Sequence, residues 1–315
     1  MIYILLLIVL FVLQFAYLRV ARRFRIIDEP NERSLHTFST LRGGGVIFYV
    51  GMLFNFLFDG FQYPWFFLGL TLIAAVSFVD DIRPQPARFR LLIHFVALAL
   101  MFNQLNLFLF PWYYTLPVWV VFAYILNAYN FMDGINGITG GYSLVVAYAL
   151  WHINNYQISF VDNDLIYTFI ASLIVFNFFN FRRIAKCFAG DVGAISAAFI
   201  LSLMLGLLVL KTGDLSYIVL LAVYGIDTVL TIIYRLILKE NIFKAHRMHV
   251  YQLMANELKI PHILVTFIYC LLQGLIVAGL VLVNDRYKYD FIVIIFLSVF
   301  YVLFMKKYFH LHQRI

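Results

Sequence analysis

The feature that most constrains this chain is a close succession of apolar runs, each long enough to form a helix through a lipid bilayer. Short stretches rich in Gly, Pro, Asn and charged residues separate the runs. Of the 315 residues, 64% are hydrophobic and 12% are charged, whereas soluble domains have about 45–50% and about 25%. Because lipid leaves backbone amides no partner outside their own segment, the sequence predicts an all-α, polytopic integral membrane protein.

The runs predict about eleven transmembrane helices in a single domain that covers residues 1–315. About twenty apolar residues cross the hydrocarbon core. The first run is followed by several arginines and no small-residue cleavage site, so we predict a transmembrane helix there and not a removable signal peptide. The predicted spans are residues 1–20, 43–58, 65–79, 89–109, 112–130, 137–153, 163–181, 192–211, 215–236, 263–283 and 290–306.

The basic residues predict the orientation. With the N-terminus outside and the C-terminus in the cytoplasm, 20 of the 23 Lys and Arg residues fall on the cytoplasmic side, and only Lys211, Arg286 and Lys288 fall outside. Basic residues are retained in cytoplasmic loops, and a basic surface suits anionic lipid and nucleotide phosphates; no nucleic-acid partner is expected. The polar loops predicted on this face of the inner membrane lie near residues 21–42, 80–88, 131–136, 182–191 and 237–262.

Acidic residues collect in two of these loops. Asp80 and Asp81 end the third run, and neighbouring carboxylates repel each other unless water, a cation or a metal ion separates them. The pair is therefore either a solvated loop or a site that binds metal and handles protons. Asp191 lies where the chain re-enters the membrane after residue 190, and this position suits both a helix cap and a metal ligand.

Amide and imidazole groups mark two further loops. Asn130, Asp133 and Asn136 recur every three residues, which indicates either a plain turn or a rim that suits a hard cation and a phosphate ester. His246 and His249 flank an arginine and suit a sugar or a pyrophosphate. They have no nearby Cys or carboxylate, which excludes a structural zinc site.

Asp227 lies inside the ninth run. A charged side chain within a membrane helix is costly and is a functional candidate by default. The alternative is that Asp227 pairs with a neighbouring helix.

Taken in order, these motifs resemble those of the polyprenyl-phosphate N-acetylhexosamine-1-phosphate transferases, glycosyl transferase family 4, which start peptidoglycan, O-antigen and teichoic acid synthesis. Asp80-Asp81 resembles the aspartate pair of the family. Residues 127–138 resemble its Asn-x-x-Asn-x-x-Asp-Gly-x-Asp-Gly motif, and residues 176–193 resemble its Phe-x-Gly-Asp-x-Gly block. Residues 227–235 and 28–45 resemble further elements, the latter most closely those of O-antigen-type members. Asn136 replaces a family aspartate, and the histidine cluster is reduced, which leaves the sugar open.

The resemblance implies transfer of an N-acetylhexosamine 1-phosphate from a UDP-sugar to undecaprenyl phosphate, with release of UMP, on the cytoplasmic face of the inner membrane. It implies Mg²⁺, or Mn²⁺, on Asp81, Asn130 and Asp191, and catalytic roles for Asp80 and Asp81. Arg83 is expected to contact the lipid phosphate. Family members form dimers, so a homodimer is one expected state. The residues implied to bind nucleotide and sugar are Asp133, Asn136, Asn180, Lys186, Phe188, His246, Arg247 and His249.

A secondary transporter is the alternative, because transporters also have many spans and intramembrane acids such as Asp227. Their sites lie near the bilayer midplane, and many carry inverted repeats. This sequence has no evident repeat, and its polar residues crowd one predicted surface. The signature of CDP-alcohol phosphotransferases is also absent. The enzyme hypothesis is therefore favoured over the transporter.

Overall fold

The computed structural model describes residues 2–29, 39–241 and 246–312. Parts of two predicted loops, residues 30–38 and 242–245, lie outside the described residues, and so does most of the resemblance in residues 28–36. The α-helices are α1 Ile2–Arg23, α2 Val46–Phe58, α3 Pro64–Ile82, α4 Ala87–Gln104, α5 Trp112–Met132, α6 Ile138–Tyr156, α7 Asn163–Asn180, α8 Gly190–Thr212, α9 Ala222–Ile237, α10 Val250–Asn256, α11 His262–Leu282 and α12 Arg286–His312. Leu107–Leu109 and Leu215–Leu221 are 3₁₀-helices, and the strands β1 Ile27–Asp28 and β2 Thr40–Leu41 pair antiparallel.

The polytopic, all-α membrane architecture is confirmed. Within the described ranges, seven helical segments are long and apolar enough to cross a membrane: Ile2–Arg23, Pro64–Ile82, Trp112–Met132, Gly190–Thr212, Leu215–Ile237, His262–Leu282 and Arg286–Leu311. Each of the other predicted runs also coincides with a helix, although α2, for example, has only 13 residues. The count of eleven spans and the orientation stay predictions.

Two boundaries differ from the sequence prediction. The ninth run is divided into a 3₁₀-helix and α9. The loop expected at residues 237–262 contains the short helix α10, in which Val250 and Leu253 are buried. The main-chain N–H of His249 donates to the side chain of Gln252 at 3.2 Å, and this contact caps the first turn of α10.

α8 is the centre of the bundle. In an apolar 18-residue stretch of α8, 83% of the residues are buried, compared with 22% in such a stretch of α1. α8 packs against α2, α3, α5 and α6, and a helix that is covered on every side is apolar all round. α3 runs antiparallel to α8. Near the start of α3, the Phe66 ring stacks on Phe199 in the middle of α8. Near the end of α3, the Asp81 carboxylate accepts the main-chain N–H of Asp191 in the first turn of α8. This packing sets the end of α3 against the start of α8.

Close backbone contact joins the segment before α2 to the segment before α8. Gly44 N–H donates to the Phe188 carbonyl at 2.8 Å, and Phe188 N–H donates to the Leu41 carbonyl at 2.8 Å. A Cβ added to Gly45 would lie 2.2 Å from the Cα of Gly193. Glycine is therefore required for this approach, which brings the residue after β2, Arg42, to the N-terminus of α8.

Candidate active site at the junction of α3 and α8

Asp81 joins the two helices at this junction. Its side chain is fully buried and accepts hydrogen bonds from the main-chain N–H groups of Asp191 at 2.9 Å and Val192 at 3.2 Å. These N–H groups belong to the first turn of α8 and have no partner within the helix, so a carboxylate there stabilises the helix N-terminus. Asp81 thus holds Asp191 at a fixed place beside Asp80.

Gly190 makes this contact possible. Its φ is +71°, in the left-handed region that favours glycine, and a Cβ at this position would lie 2.3 Å from Oδ2 of Asp81. The Gly-Asp pair noted in the sequence therefore has a steric reason as well as a chemical one.

Two arginines bridge the three aspartates. Arg42 Nε lies 2.8 Å from Asp81 Oδ1, and its Nη2 lies 3.5 Å from Asp191 Oδ1. Arg90 Nη1 lies 2.8 Å from Asp80 Oδ2 and 3.1 Å from Asp191 Oδ2. We call Asp80, Asp81, Asp191, Arg42 and Arg90 the Asp–Arg cluster. Both arginine side chains are about one third exposed, at 33% and 35%, so the cluster opens outward.

Sequence reasoning did not select Arg42 or Arg90 as site residues. Among the basic residues, the family resemblance gives binding roles only to Arg83, Lys186 and Arg247, although Arg42 and Arg90 also lie in or next to the polar loops that carry the aspartates. The useful signal was the position of Arg42 directly before three glycines, because a backbone that approaches so closely also delivers its neighbouring side chain.

Around Asp80, the loop between α3 and α4 folds back on the helix end. Asp80 Oδ1 accepts the main-chain N–H of Gln85 at 2.6 Å, while Oδ2 faces Arg90. Arg83, predicted to bind the lipid phosphate, is exposed at the end of α3.

The residues after α5 approach the cluster from a third side. Asp133 accepts a hydrogen bond from the Thr139 hydroxyl at 2.5 Å. Desolvation by burial raises the pKa of Asp133 to about 7, opposed by the Thr139 hydrogen bond and reinforced by the negative charge of Asp191. Asp133 therefore lies within electrostatic reach of the cluster. Asn130 is half-buried on the last turn of α5, and its carbonyl accepts the N–H of Asp133 at 3.4 Å.

Asn136 and Asn180 hold the loop between α7 and α8. Asn136 Nδ2 donates to the carbonyl of Arg182 at 2.9 Å. Asn180 Oδ1 accepts the N–H of Gly137 at 2.7 Å, and its Nδ2 donates to the carbonyl of Cys187 at 2.8 Å. Both amides are buried. The side-chain amides of Asn136 and Asn180, which the resemblance assigns to nucleotide and sugar binding, thus form hydrogen bonds with the main chain. They fix the loop that leads into Asp191.

The other two predicted residues of this loop have different surroundings. Phe188 is half-buried beside β2. Lys186 is exposed and lines a cavity against α1, together with Arg19 and Arg22.

The histidine segment lies next to the end of α5. The ring centroids of His246 and His249 are 5.0 Å apart, and the Phe131 ring is 6.3 and 6.1 Å from them, respectively. His249 is buried, and its Nε2 has no hydrogen-bond partner within the described part of the chain. Arg247, between the two histidines, is half-buried.

Asp227 pairs with its neighbours. Its carboxylate accepts the Tyr269 hydroxyl at 2.6 Å and the Val250 N–H at 3.1 Å, and it lies 3.4 Å from Nδ1 of His249. Because these contacts join α9 to α10 and α11, Asp227 fixes the histidine segment, as the structural alternative in the sequence analysis expected.

Comparison with known proteins identifies relatives across the same region. Residues 63–210 match the model for glycosyl transferase family 4, and this stretch holds Asp80, Asp81, Arg90 and Asp191. A probable undecaprenyl-phosphate N-acetylglucosaminyl 1-phosphate transferase of Bacillus subtilis is 27% identical over 75% of this chain and 72% of its own length.

Two enterobacterial proteins are similar over a shorter stretch. The undecaprenyl-phosphate alpha-N-acetylglucosaminyl 1-phosphate transferase of Yersinia pestis is 30% identical over 60% of this chain and 58% of its own length. The protein of the same name from Escherichia coli K12 is 27% identical over 56% of this chain and 53% of its own length. The chain thus spans between about half and three quarters of these relatives.

Proposed function

Because the chain belongs to glycosyl transferase family 4, we propose that it transfers N-acetylhexosamine 1-phosphate from a UDP-sugar to undecaprenyl phosphate. An oxygen of the lipid phosphate forms a bond to the phosphorus that carries the sugar, and the bond from that phosphorus to UMP breaks. The products are a lipid diphosphate sugar, which starts a cell-envelope glycan, and UMP. The names of the relatives support N-acetylglucosamine as the first sugar to test.

The observation that carries this proposal is the Asp–Arg cluster. Both substrates are anions, so their approach is opposed by Coulomb repulsion. Arg42 and Arg90 lie together, partly exposed, at the α3–α8 junction, where they bind the phosphates of donor and acceptor. Arginine suits this role because its planar group forms paired hydrogen bonds with phosphate oxygens.

The three aspartates have different roles in this proposal. Both oxygens of Asp81 are engaged, with Arg42 and with the first turn of α8, so Asp81 positions Asp191. Asp80 and Asp191 are bridged by Arg90, and their side chains are 10% and 17% exposed, whereas that of Asp81 is fully buried. These two carboxylates face the substrates, and Asp80 accepts the last proton of the lipid phosphate where that proton is still present.

The donor atoms of this site fit Mg²⁺. Within the described ranges no group of three or more His, Cys, Asp or Glu side chains is arranged to hold a metal ion. Mg²⁺ is, however, commonly held by one or two carboxylates together with substrate phosphates and water. Asp191 and Asp80 would hold it, and Asp81 lies beside them at the same junction; Asn130, on the last turn of α5, is the further ligand that the family resemblance implies. When bound, the ion neutralises charge on the diphosphate and makes UMP a better leaving group.

The membrane placement proposed here has the N-terminus outside and the Asp–Arg cluster on the cytoplasmic face of the inner membrane. It is supported by the basic residues, of which 20 of 23 fall on that side of an eleven-span arrangement. In this arrangement the soluble nucleotide reaches the cluster from the cytoplasm, and the polyprenyl chain stays in the bilayer.

The assay supplies purified protein with Mg²⁺, undecaprenyl phosphate and a panel of labelled UDP-sugars, beginning with UDP-N-acetylglucosamine. We expect release of UMP and a labelled lipid with at least one donor. No product with any donor, while a relative such as the B. subtilis protein is active in the same assay, would contradict the proposal. The transporter alternative has no support, since the polar side chains of the cluster lie at helix ends.

A further inference from the structure

A second charged site lies between α1 and the segment that follows α7. A cavity of about 370 Å³ is lined there by Arg19 and Arg22 of α1 and by Arg182 and Lys186 of the loop before α8. The rings of Phe15 and Phe178 form part of the same wall. We call this cavity the basic cleft.

The charge of the basic cleft is of one sign. No acidic residue lines it, and across residues 2–29, 39–241 and 246–312 none of its four cations forms an ion pair. Like charges that line one concave surface repel each other and together attract an anion. The cleft is therefore electrostatically suited to a phosphate.

Two of the guanidinium groups are already oriented. Arg19 Cζ lies 4.6 Å from the ring centroid of Phe15, and Arg182 Cζ lies 4.5 Å from that of Phe178. Arg182 Nε also donates to the Phe178 carbonyl at 2.5 Å. Stacking on aromatic rings restricts these side chains, so less conformational entropy is lost when they bind an anion.

The apolar part of the cleft distinguishes a lipid from a free anion. Phe15 is 46% exposed and Phe178 is 53% exposed, and Arg22 lies in the last turn of a helix that is long and apolar enough to cross a membrane. A phospholipid presents a phosphate directly next to hydrocarbon chains. Inorganic phosphate has no apolar part that could pack against the two rings.

The basic cleft is separate from the Asp–Arg cluster. Leu41 lines the cleft, whereas the next residue, Arg42, contacts Asp81. In extended chain, successive side chains point to opposite sides, so the cleft and the cluster lie on opposite sides of this segment. A lipid in the cleft would support the segment that carries Arg42 without touching the reacting groups.

We propose that the basic cleft binds the headgroup of an anionic bilayer phospholipid. This binding site is additional to the site of the transfer reaction, because its cations form no ion pair with the carboxylates of the Asp–Arg cluster. It is distinct from general attraction between a basic protein surface and the membrane, because the cations converge on one cavity with aromatic walls.

The test measures binding to the full chain in neutral detergent by titration calorimetry. The probes are short-chain phosphatidylglycerol, short-chain phosphatidylcholine, inorganic phosphate and farnesyl phosphate. The variants are Arg22→Gln, the double variant Arg19→Gln with Arg22→Gln, and the control Arg23→Gln. Arg23 is an exposed neighbour of the same charge on α1 that does not line the cleft.

We expect phosphatidylglycerol to bind at least about tenfold more tightly than phosphatidylcholine, since each basic residue near an anionic headgroup contributes ~1 kcal/mol. The double variant should lose about tenfold or more in affinity for phosphatidylglycerol, and Arg23→Gln should change it less than about twofold. If the double variant unfolds more easily, Arg22→Gln alone gives the same comparison and should weaken binding several-fold.

Three results would overturn the proposal. An equal loss with Arg23→Gln would show unspecific charge attraction. Inorganic phosphate that competes as strongly as phosphatidylglycerol would show a site for free anions. Farnesyl phosphate that binds more tightly than phosphatidylglycerol would assign the cleft to the acceptor lipid.

Discussion

The carboxylate of Asp81 accepts the main-chain N–H of Asp191 at 2.9 Å, and this bond fixes the last turn of α3 against the first turn of α8. The two side chains have different surroundings, because Asp81 is fully buried whereas Asp191 is 17% exposed. The same contact thus supports the fold and leaves Asp191 open to substrates.

The first prediction concerns the space around Asp81. Gly190→Ala should lower the free energy of unfolding by about 3 kcal/mol or more, because a left-handed φ and a clash with the carboxylate add together. The clash follows from a Cβ position 2.3 Å from Asp81 Oδ2. Thermal unfolding in detergent measures the change.

Gly213→Ala is the matched control. Gly213 has a similar φ of +68°, but a Cβ there meets nothing within 4 Å, so the loss should be only about 1 kcal/mol. Equal losses in the two variants would show that the contact between Gly190 and Asp81 is not tight.

The second prediction concerns pH. Burial raises the pKa of Asp133 to about 7, above the value of about 3.9 in an unfolded chain. The folded protein therefore binds more protons than the unfolded chain between these values, and stability falls as pH rises through this window and is level above it.

Asp133→Asn should remove this fall. In the presence of a chelator, the unfolding midpoint of the variant relative to the native protein should be higher at pH 8 than at pH 4. Thr139 should keep its contact, because an amide oxygen also accepts a hydrogen bond. A difference between the two proteins that does not vary with pH would refute the assignment.

The third prediction concerns Arg90, which bridges Asp80 and Asp191. Arg90→Gln should lower kcat/KM for UMP release about thirtyfold, because loss of a hydrogen bond to a charged group costs ~2 kcal/mol. Arg88→Gln is the control, since Arg88 is exposed on the same helix. The same loss in both variants would indicate that only the overall basic charge matters.

Much of this architecture is predictable from sequence because lipid allows so few solutions. Each apolar run had to become a helix, and each coincides with one. The division of the ninth run was not predictable, because Gln273, 50 to 54 positions along the chain, bonds the main chain of Val219 and Val223 on either side of the boundary. The helix α10 was not predictable either, because its first residue, Val250, is bonded by Asp227, 23 positions earlier.

The candidate site was predictable in part. Asp80, Asp81 and Asp191 were selected from their motifs, and the structure brings them together. Arg90 is not predictable as a site residue, because nothing in the local sequence tells that it reaches Asp191, 101 residues away. For Arg42 the three glycines that follow it are a local signal, but they do not tell that its partner is Asp81, 39 residues away. Asn136 and Asn180 show the converse, since their amides hold main chain where the motif implied ligand contacts.

The measurement that tests the central claim most directly is UMP release by Asp191→Asn, which keeps the main-chain N–H that Asp81 accepts. The account predicts that the purified variant unfolds within a few degrees of the native protein but releases UMP at least about 100-fold more slowly. A stable variant that retains native activity would contradict the assignment of the Asp–Arg cluster as the active site.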